Sequence, residues 1–329
     1  MADQVLTLVE AAKAEPASQA TGYIGIYAEA YQPNYVAPVL PSDRTFVWDV
    51  EDDLPYTGTT GSRYIDADFD ATQANFKHYE TDVKAYGGKI MADEYIIDNM
   101  PMSLPRQRAS QVRAFARKQL VDTFQGAGGA DLRGIRDWFG GDVASNGRVI
   151  AAGYENQEVA AGTTANGDLL TLDMLDDTIA RVDVRFGQTF IYCNDIITRR
   201  IGKLNRGNDS NGYNVNYSPA EIGRFDLNYK GVPIVTLRDG KNSDLLSATE
   251  YDNTTNQTTM SLYVVTWGPE HATYFSTNPT GVAGVPMPQI MVQNDGSNYM
   301  TERFKFYIGF APQQPRCVAR LRKLKNALA

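Results

Sequence analysis

Histidine and cysteine, the side chains most often used for metal binding and nucleophilic catalysis, are scarce in this chain of 329 residues. There are two histidines, His78 and His271, and two cysteines, Cys193 and Cys317. The cysteines are far apart and match neither a disulfide framework nor a zinc spacing. No HExxH motif surrounds His271, and Cys193 ends an apolar run, where a buried, unreactive thiol is expected. The sequence therefore predicts no metal site and no catalysis that depends on His or Cys.

Motifs for phosphate, calcium and acid–base chemistry are also weak. The three Gly-Lys pairs are followed by Ile, Leu and Asn, which gives no support to a P-loop. Asp209-x-Asn211-Gly212 resembles the start of a calcium loop but lacks its downstream acid. The adjacent Asp176 and Asp177 would point about 100° apart on a helix, so they do not form a catalytic pair. We predict that the protein is not an enzyme and uses no cofactor.

Composition limits the remaining classes of protein. Lys and Arg number 31 against 39 Asp and Glu, a net charge of −8. Such a chain is a poor general nucleic-acid binder, because phosphate binding needs clustered cations. The hydrophobic fraction of 43% is enough for a large core, and the length indicates about two domains.

Two strand-like runs, over 44–50 and 76–85, are separated by an acidic, glycine-containing segment and predict a long hairpin. Phe46, Trp48 and Val50 share one face of the first run. A two-stranded ribbon alone is marginally stable in water, and nothing nearby in the sequence covers this one. We therefore expect partner molecules to cover its apolar face.

Residues 1–43 are rich in proline and tyrosine and read as an arm that cannot form its own core. Its tyrosines either lie against another surface or belong to a loosely packed tail. The four candidates for contact are Tyr23, Tyr27, Tyr31 and Tyr35.

The clearest helix is predicted over 103–125. Its apolar stripe repeats every four residues, at Val112, Ala116, Leu120 and Phe124. The opposite face carries five cations, among them Arg113 and Arg117. That face is either simply solvated or lies against a neighbouring subunit or DNA.

Further along the chain, residues 168–204 predict a helix, a short buried strand and a second helix. Residues 225–310 are rich in strands. Near the end, Phe304, Phe306, Ile308 and Phe310 alternate with polar residues, which is typical of a half-buried antiparallel strand. The basic tail that follows, with Leu321 among its leucines, suggests a short docking helix.

The order of these elements resembles the major capsid proteins of tailed double-stranded DNA bacteriophages, with the Hong Kong 97-type fold. Residues 81–98 (TDVKAYGGKIMADEYIID) look like the return strand of the family's E-loop, and 172–200 look like its A-domain helix, strand and helix. Residues 225–237 (FDLNYKGVPIVTL) resemble its G-x-P-I strand, and 307–324 (YIGFAPQQPRCVARLRKL) resemble the chain ending of some members.

This resemblance implies an α+β capsid fold with an N-terminal arm (1–43), an E-loop (44–90), a P domain with a long spine helix (91–164 and 295–312) and an A domain (165–294 and 313–329). It implies hexamers and pentamers in an icosahedral shell around double-stranded DNA, in a virion capsid assembled in the host cytoplasm. We expect a separate scaffolding protein, a portal and possibly a decoration protein as partners, no sequence-specific DNA binding and no membrane.

Charge complementarity gives a hypothesis for intersubunit contact. Acids of the hairpin would pair with cations on a neighbour's long helix or last strand. The acids are Asp49, Glu51, Asp52, Asp53, Asp66 and Asp68, and the cations are Arg113, Arg117, Arg303 and Lys305.

Two other functions remain open. An encapsulin-type nanocompartment shell has the same fold and holds protein cargo. A β-rich hydrolase or carbohydrate-binding protein would use the aromatic residues, but it would need a concave site with convergent acids or a metal.

Overall fold

The protein is α+β, as the sequence predicts. The computed structural model describes residues 37–42, 44–51, 76–93, 103–139, 157–162, 167–184, 187–207, 215–219, 225–237, 245–246, 250–252, 257–277, 289–294, 299–325 and 327. The helices within these ranges are α1 (Ser103–Gln125), α2 (Ile135–Trp138), α3 (Leu172–Ala180) and α4 (Asp195–Gly207), with a 3₁₀ turn at Pro315–Cys317. The strands are β1 (Val39–Pro41), β2 (Thr45–Glu51), β3 (Phe76–Asp82), β4 (Lys84–Asp93), β5 (Glu158–Ala160), β6 (Gln188–Cys193), β7 (Val215–Pro219), β8 (Phe225–Tyr229), β9 (Val232–Thr236), β10 (Glu250–Asp252), β11 (Gln257–Trp267), β12 (Ala272–Ser276), β13 (Gln289–Asn294), β14 (Tyr299–Pro312) and β15 (Val318–Lys325).

Most strands of the described residues join one mixed sheet. Its main path runs β13-β14-β12-β11-β6-β9-β8-β7, and β4 pairs with β14 while β15 pairs with β11. The last of the predicted strands is confirmed as part of β14, where Phe306, Ile308 and Phe310 are buried and Arg303 is exposed. The polar and apolar residues alternate because successive side chains point to opposite faces of a strand.

The central strands separate two hydrophobic clusters. Along β11, Tyr263 and Val265 belong to a cluster shared with α1, whereas Leu262 and Val264 belong to a cluster that includes residues of α3 and α4. Both faces of this part of the sheet are therefore covered, and every residue of β11 from Thr259 to Trp267 is buried.

The predicted long helix is confirmed as α1, which has 23 residues. Val112, Ala116, Leu120 and Phe124 are each 1% exposed or less, so the stripe with a period of four faces the core. Gly126 directly follows the last residue of the helix, and a Cβ there would lie 2.2 Å from the carbonyl oxygen of Leu132. Only glycine fits this close approach of backbone to backbone.

The helix, strand and helix predicted over 168–204 are confirmed as α3, β6 and α4. The Thr171 hydroxyl accepts a hydrogen bond from the Met174 amide at 3.3 Å, and the Asn194 side chain accepts one from the Ile197 amide at 3.1 Å. Each residue caps the helix that follows it, because its side chain satisfies an amide with no partner inside the helix.

Two expectations about elements are wrong. The run over 76–85 is not one strand, since β3 ends at Asp82 and Lys84 begins β4, which pairs with β14. The basic tail is a strand instead of a docking helix. As β15 it pairs with β11 in the core, where Leu321 and Arg320 are fully buried. The leucines of the tail have a helical spacing instead of the alternation expected of a strand. The reason is that Lys323 has a positive φ of 59°, which interrupts the alternation.

Candidate intersubunit surfaces

The base of the hairpin formed by β2 and β3 packs on the body of its own subunit. Phe46 stacks on Phe275 with ring centroids 5.0 Å apart, and Trp48 lies 5.4 Å from Trp138. Tyr79, opposite Trp48 in the hairpin, also contacts Trp138 at 6.1 Å. The expectation that partner molecules must cover the apolar face is therefore wrong for this part of the hairpin. Trp138 lies about 60 residues after the hairpin's second strand, so the sequence near the hairpin gives no sign of this contact.

The other face of the hairpin is polar and exposed. The Asp49 carboxylate accepts a hydrogen bond from Nδ1 of His78 at 2.6 Å across the strands, and both side chains are more than half exposed. Thr45 donates to Asp82 at 2.8 Å. Glu80 is exposed on the same face. Of the acids predicted for contact, Asp49 is therefore on the solvent side.

The remaining acids and the tyrosines are mostly beyond the described ranges. Glu51 ends β2, but its side chain is not among those described. The residues outside the described part of the chain are Asp52, Asp53, Asp66, Asp68, Tyr23, Tyr27, Tyr31 and Tyr35. Their proposed contacts stay predictions.

The cationic face of α1 is only partly available to a partner. Arg113 is exposed and Arg117 is half-buried. Arg108, one of the five cations on this face, instead forms a two-pronged ion pair with Glu302 of β14, whose side chain is 0% exposed. This pair joins the helix to the sheet. The buried Glu302 carboxylate can stay charged because a cation lies directly beside it.

A second polar network lies near the end of α1. Tyr86 donates a hydrogen bond to Asp122 at 2.8 Å, and Lys118 donates to the other carboxylate oxygen at 2.7 Å. Burial raises the pKa of the Asp122 carboxyl above its usual value, although both hydrogen bonds act to lower it. Burial acts to lower the pKa of Lys118, but hydrogen bonds with Asp122 and Asp131 outweigh it and raise that pKa. Lys118 is therefore committed to its own subunit.

Three cations share the exposed face of the strand pair β4 and β14. Arg303 is exposed, and Lys305 lies 5.7 Å from the ring of Tyr307. Lys89 is directly opposite Arg303 and is also exposed. Sequence reasoning missed Lys89, since only the register of the two strands brings it beside Arg303.

One open cleft of about 360 Å³ separates the hairpin from the loop after α1. Its lining includes Glu80, Asp82, Lys84, Arg133 and Asp137. Arg133 is paired with Asp137 at 2.9 Å, so these charges largely compensate one another. Among the described residues, no group of three or more His, Cys, Asp or Glu side chains is placed to hold a metal ion.

None of the helices in the described part of the chain has the length and apolar character that crossing a bilayer requires. Both cysteines are buried as free thiols. Burial raises the pKa of the Cys317 thiol to about 12, so it is inert at neutral pH.

Comparison with known proteins shows similarity in structure alone. No family model matches the sequence, and no curated protein matches it. The capsid protein of cyanophage A-1(L) superposes with a TM-score of 0.63 at 10% identity, over 90% of this chain and 93% of that one. The SrpI encapsulin of Synechococcus elongatus PCC 7942 gives 0.60 at 13% identity, over 97% and 96%. The capsid of an empty GTA particle gives 0.57 at 14% identity, over 90% of both chains.

These three matches extend over nearly the whole of each chain, so they concern the complete arrangement of helices and strands and not a shared fragment. The fold of this protein is therefore the Hong Kong 97-type fold of phage capsid and encapsulin shell proteins.

Proposed function

We propose that this chain is the major capsid protein of a tailed bacteriophage, a structural subunit that assembles into hexamers and pentamers of an icosahedral head around double-stranded DNA. The observation that carries the proposal is the match to the cyanophage A-1(L) capsid protein over 90% of this chain and 93% of that one. An acidic chain with a net charge of −8 suits a wall that must not adhere to packed DNA.

The proposal includes the division into arm (1–43), E-loop (44–90), P domain (91–164 and 295–312) and A domain (165–294 and 313–329). The cluster that includes residues of α3 and α4 comes almost entirely from the proposed A domain and supports it as a unit, whereas the other cluster joins residues of all four divisions. A scaffolding protein, a portal, a possible decoration protein and assembly in the host cytoplasm belong to the same proposal.

Contact between subunits is proposed to run through the hairpin and the exposed cations. Asp49 lies on the exposed face of the hairpin, and Arg113 and Arg303 are exposed on α1 and β14. Opposite charges on separate surfaces of one chain favour the pairing of identical copies, and they fix the register of that pairing. Reversing the charges of Asp52 and Asp53 should prevent normal shells, and normal shells from that variant would refute the pairing.

A second candidate is an encapsulin-type shell. The observation in its favour is the match to the SrpI encapsulin over 97% of this chain and 96% of that one. The contents of purified particles separate the two functions. A phage head made in infected cells should contain DNA, whereas an encapsulin should contain a protein cargo.

The experiment for shell formation is sedimentation velocity followed by electron microscopy of the purified chain. We expect large, closed particles or five- and six-fold capsomers. Since some capsids assemble only around another protein, the same measurement should be made on chains expressed with the neighbouring genes. A chain that stays monomeric in both preparations would contradict the proposal.

A further inference from the structure

Six strands lie at the edges of the large sheet within the described ranges, and each of them pairs with a single other strand. The outer side of an edge strand carries backbone N–H and C=O groups that a further strand can bind, and natural proteins protect such edges with charged residues or proline. Five of the six strands contain a residue of this kind. Examples are Pro41 in β1, Lys84 in β4, Glu158 in β5, Pro219 in β7 and Glu250 in β10.

The sixth edge strand, β13, has no such protection. Its sequence QIMVQN contains neither a charged residue nor a proline, although 21% of the residues in the chain are charged. One side of β13 pairs with β14, from Gln289 opposite Lys305 to Asn294 opposite Met300. On its other side, no strand of the described part of the chain pairs with it. The backbone of β13 can therefore accept a further strand, which the other five edges discourage.

The sequence of β13 is complementary to itself in the antiparallel direction. With Met291 at the centre, Gln289 of one copy lies opposite Gln293 of the other. Ile290 then lies opposite Val292. Amides face amides and apolar residues face apolar residues, and residues directly opposite on antiparallel strands are the pairs that interact. Two identical strands in this arrangement are related by a twofold axis, so the contact uses the same surface of both copies.

A closed shell needs a twofold contact in addition to the charge pairing proposed above. That pairing joins two different surfaces of the chain, and repeated contacts of this head-to-tail kind close into rings. Rings become a shell only when a second contact joins one ring to the next. A self-complementary edge strand supplies such a contact without a further protein.

We propose that β13 pairs with β13 of a second copy in the neighbouring ring, antiparallel and centred on Met291. The strands β4, β14 and β13 of the two copies then form one continuous sheet of six strands. This inference rests on the proposed function and extends it, because it assigns the contact between rings and places it on backbone hydrogen bonds instead of charges.

The first test places a cysteine at the centre of the proposed pair. Residue 291 is its own partner there, and partners in an antiparallel pair have Cα atoms about 4.5–5.5 Å apart, which a disulfide can bridge. Assembled Met291→Cys shells should therefore give covalent dimers on mild oxidation. Val292→Cys is the matched control, because its two copies are offset by two residues and lie about 8 Å apart, too far for a disulfide. The native Cys193 and Cys317 are buried and should not contribute.

The second test is Met291→Lys, which places like charges opposite each other in the proposed pair. The melting temperature of the unassembled chain should stay unchanged, since lysine is a common residue of edge strands. Shell formation should require at least about tenfold more protein, equivalent to about 1.4 kcal/mol, and electron microscopy should show free five- and six-fold rings. Ala160→Lys, at an exposed position of the edge strand β5, changes the net charge equally and should assemble normally.

Wild-type shells combined with Met291→Cys shells that give no dimers would show that something else occupies this edge. That result would overturn the inference and leave the proposed function intact, as would normal assembly of Met291→Lys. A lower melting temperature of unassembled Met291→Lys would show that the edge is covered within its own chain, and would also overturn the inference. A wild-type chain that forms no shells would overturn the proposed function together with the inference.

Discussion

The indole ring of Trp48 lies 5.4 Å from that of Trp138, and this contact attaches the hairpin to the body of its own subunit. The guanidinium of Arg133 lies 3.8 Å from the centroid of the Trp138 ring and helps to hold that ring in place beneath the hairpin. The hairpin therefore has two parts with different requirements. Its base is stabilised within one chain, and its acidic connecting segment is the part for which we propose contact with another copy.

Replacing Trp48 with alanine should destabilise the unassembled chain by about 3–5 kcal/mol, because a large buried ring is lost and a cavity remains. The side chain is 7% exposed and its N–H has no hydrogen-bond partner within the described ranges, so phenylalanine should cost much less. Val47, the preceding residue, is 46% exposed, and its replacement by alanine should change stability by less than about 0.5 kcal/mol. Urea unfolding measures all three variants. Equal, small effects of Trp48→Ala and Val47→Ala would show that the hairpin base is not attached.

Local patterns in the sequence predicted much of the fold correctly. The apolar stripe that ends at Phe124 was enough to predict α1, and the alternation around Phe306 was enough to predict β14. Each periodicity depends only on residues close together in the sequence. The attachment of the hairpin was not predicted, since it depends on Trp138, which becomes its neighbour only through the tertiary fold.

The candidate surface was predictable to a smaller extent. Arg303 was identified from its position on an alternating strand. Lys89 was not, because cross-strand neighbours follow from register, and register cannot be read from one strand alone. Arg108 is the opposite case. It appears in the sequence as one more surface cation, but the fold places it against the buried carboxylate of Glu302.

Replacing Arg108 with methionine should destabilise the unassembled chain by about 3–5 kcal/mol, because it leaves the Glu302 carboxylate buried without a cation. Combining it with Glu302→Leu should recover much of this loss, since no buried charge then remains. The matched control is Arg113→Met on the exposed side of the same helix, with an expected change below about 0.5 kcal/mol. Urea unfolding of the four proteins gives the comparison. A double variant that is less stable than Arg108→Met would contradict this account.

Replacing Tyr86 with phenylalanine should have a cost that depends on pH. At neutral pH the loss of a hydrogen bond to the ionised Asp122 should cost about 1.5–3 kcal/mol. Burial raises the pKa of Asp122 in the folded state above its ordinary value of 3.8, so the carboxyl becomes neutral earlier in the folded chain than in the unfolded one as the pH falls. Protonation of Asp122 therefore favours the folded chain. This stabilisation is complete below pH 3.8 and is lost as the pH rises through the pKa of the folded state.

The penalty of Tyr86→Phe should consequently shrink between pH 7 and pH 4, toward the roughly 1 kcal/mol of a neutral hydrogen bond. Urea unfolding of wild type and variant across this range measures it. Asp122→Asn serves as the control background. In that background the same substitution should have a cost that does not vary with pH. A penalty that stays constant in the presence of Asp122 would show that its ionisation is not coupled to Tyr86.

Replacing Gly309 with alanine should weaken the packing of the hairpin on the body, although Gly309 itself does not contact the hairpin. Gly309 pairs with Phe275 across β14 and β12, and a Cβ at this position would lie 2.0 Å from the Phe275 ring. The ring must move, and Phe46 of the hairpin is stacked on it. We expect faster protease cleavage of the hairpin strands and a lower melting temperature in the unassembled chain, because overpacking a close-packed core typically costs about 1–3 kcal/mol.

The same substitution at Gly202, where a Cβ meets nothing within 4 Å on α4, should instead raise stability by up to about 1 kcal/mol. A Gly309→Ala chain that melts lower but keeps wild-type cleavage of the hairpin would separate the core strain from hairpin attachment, and would refute the link from Phe275 to Phe46.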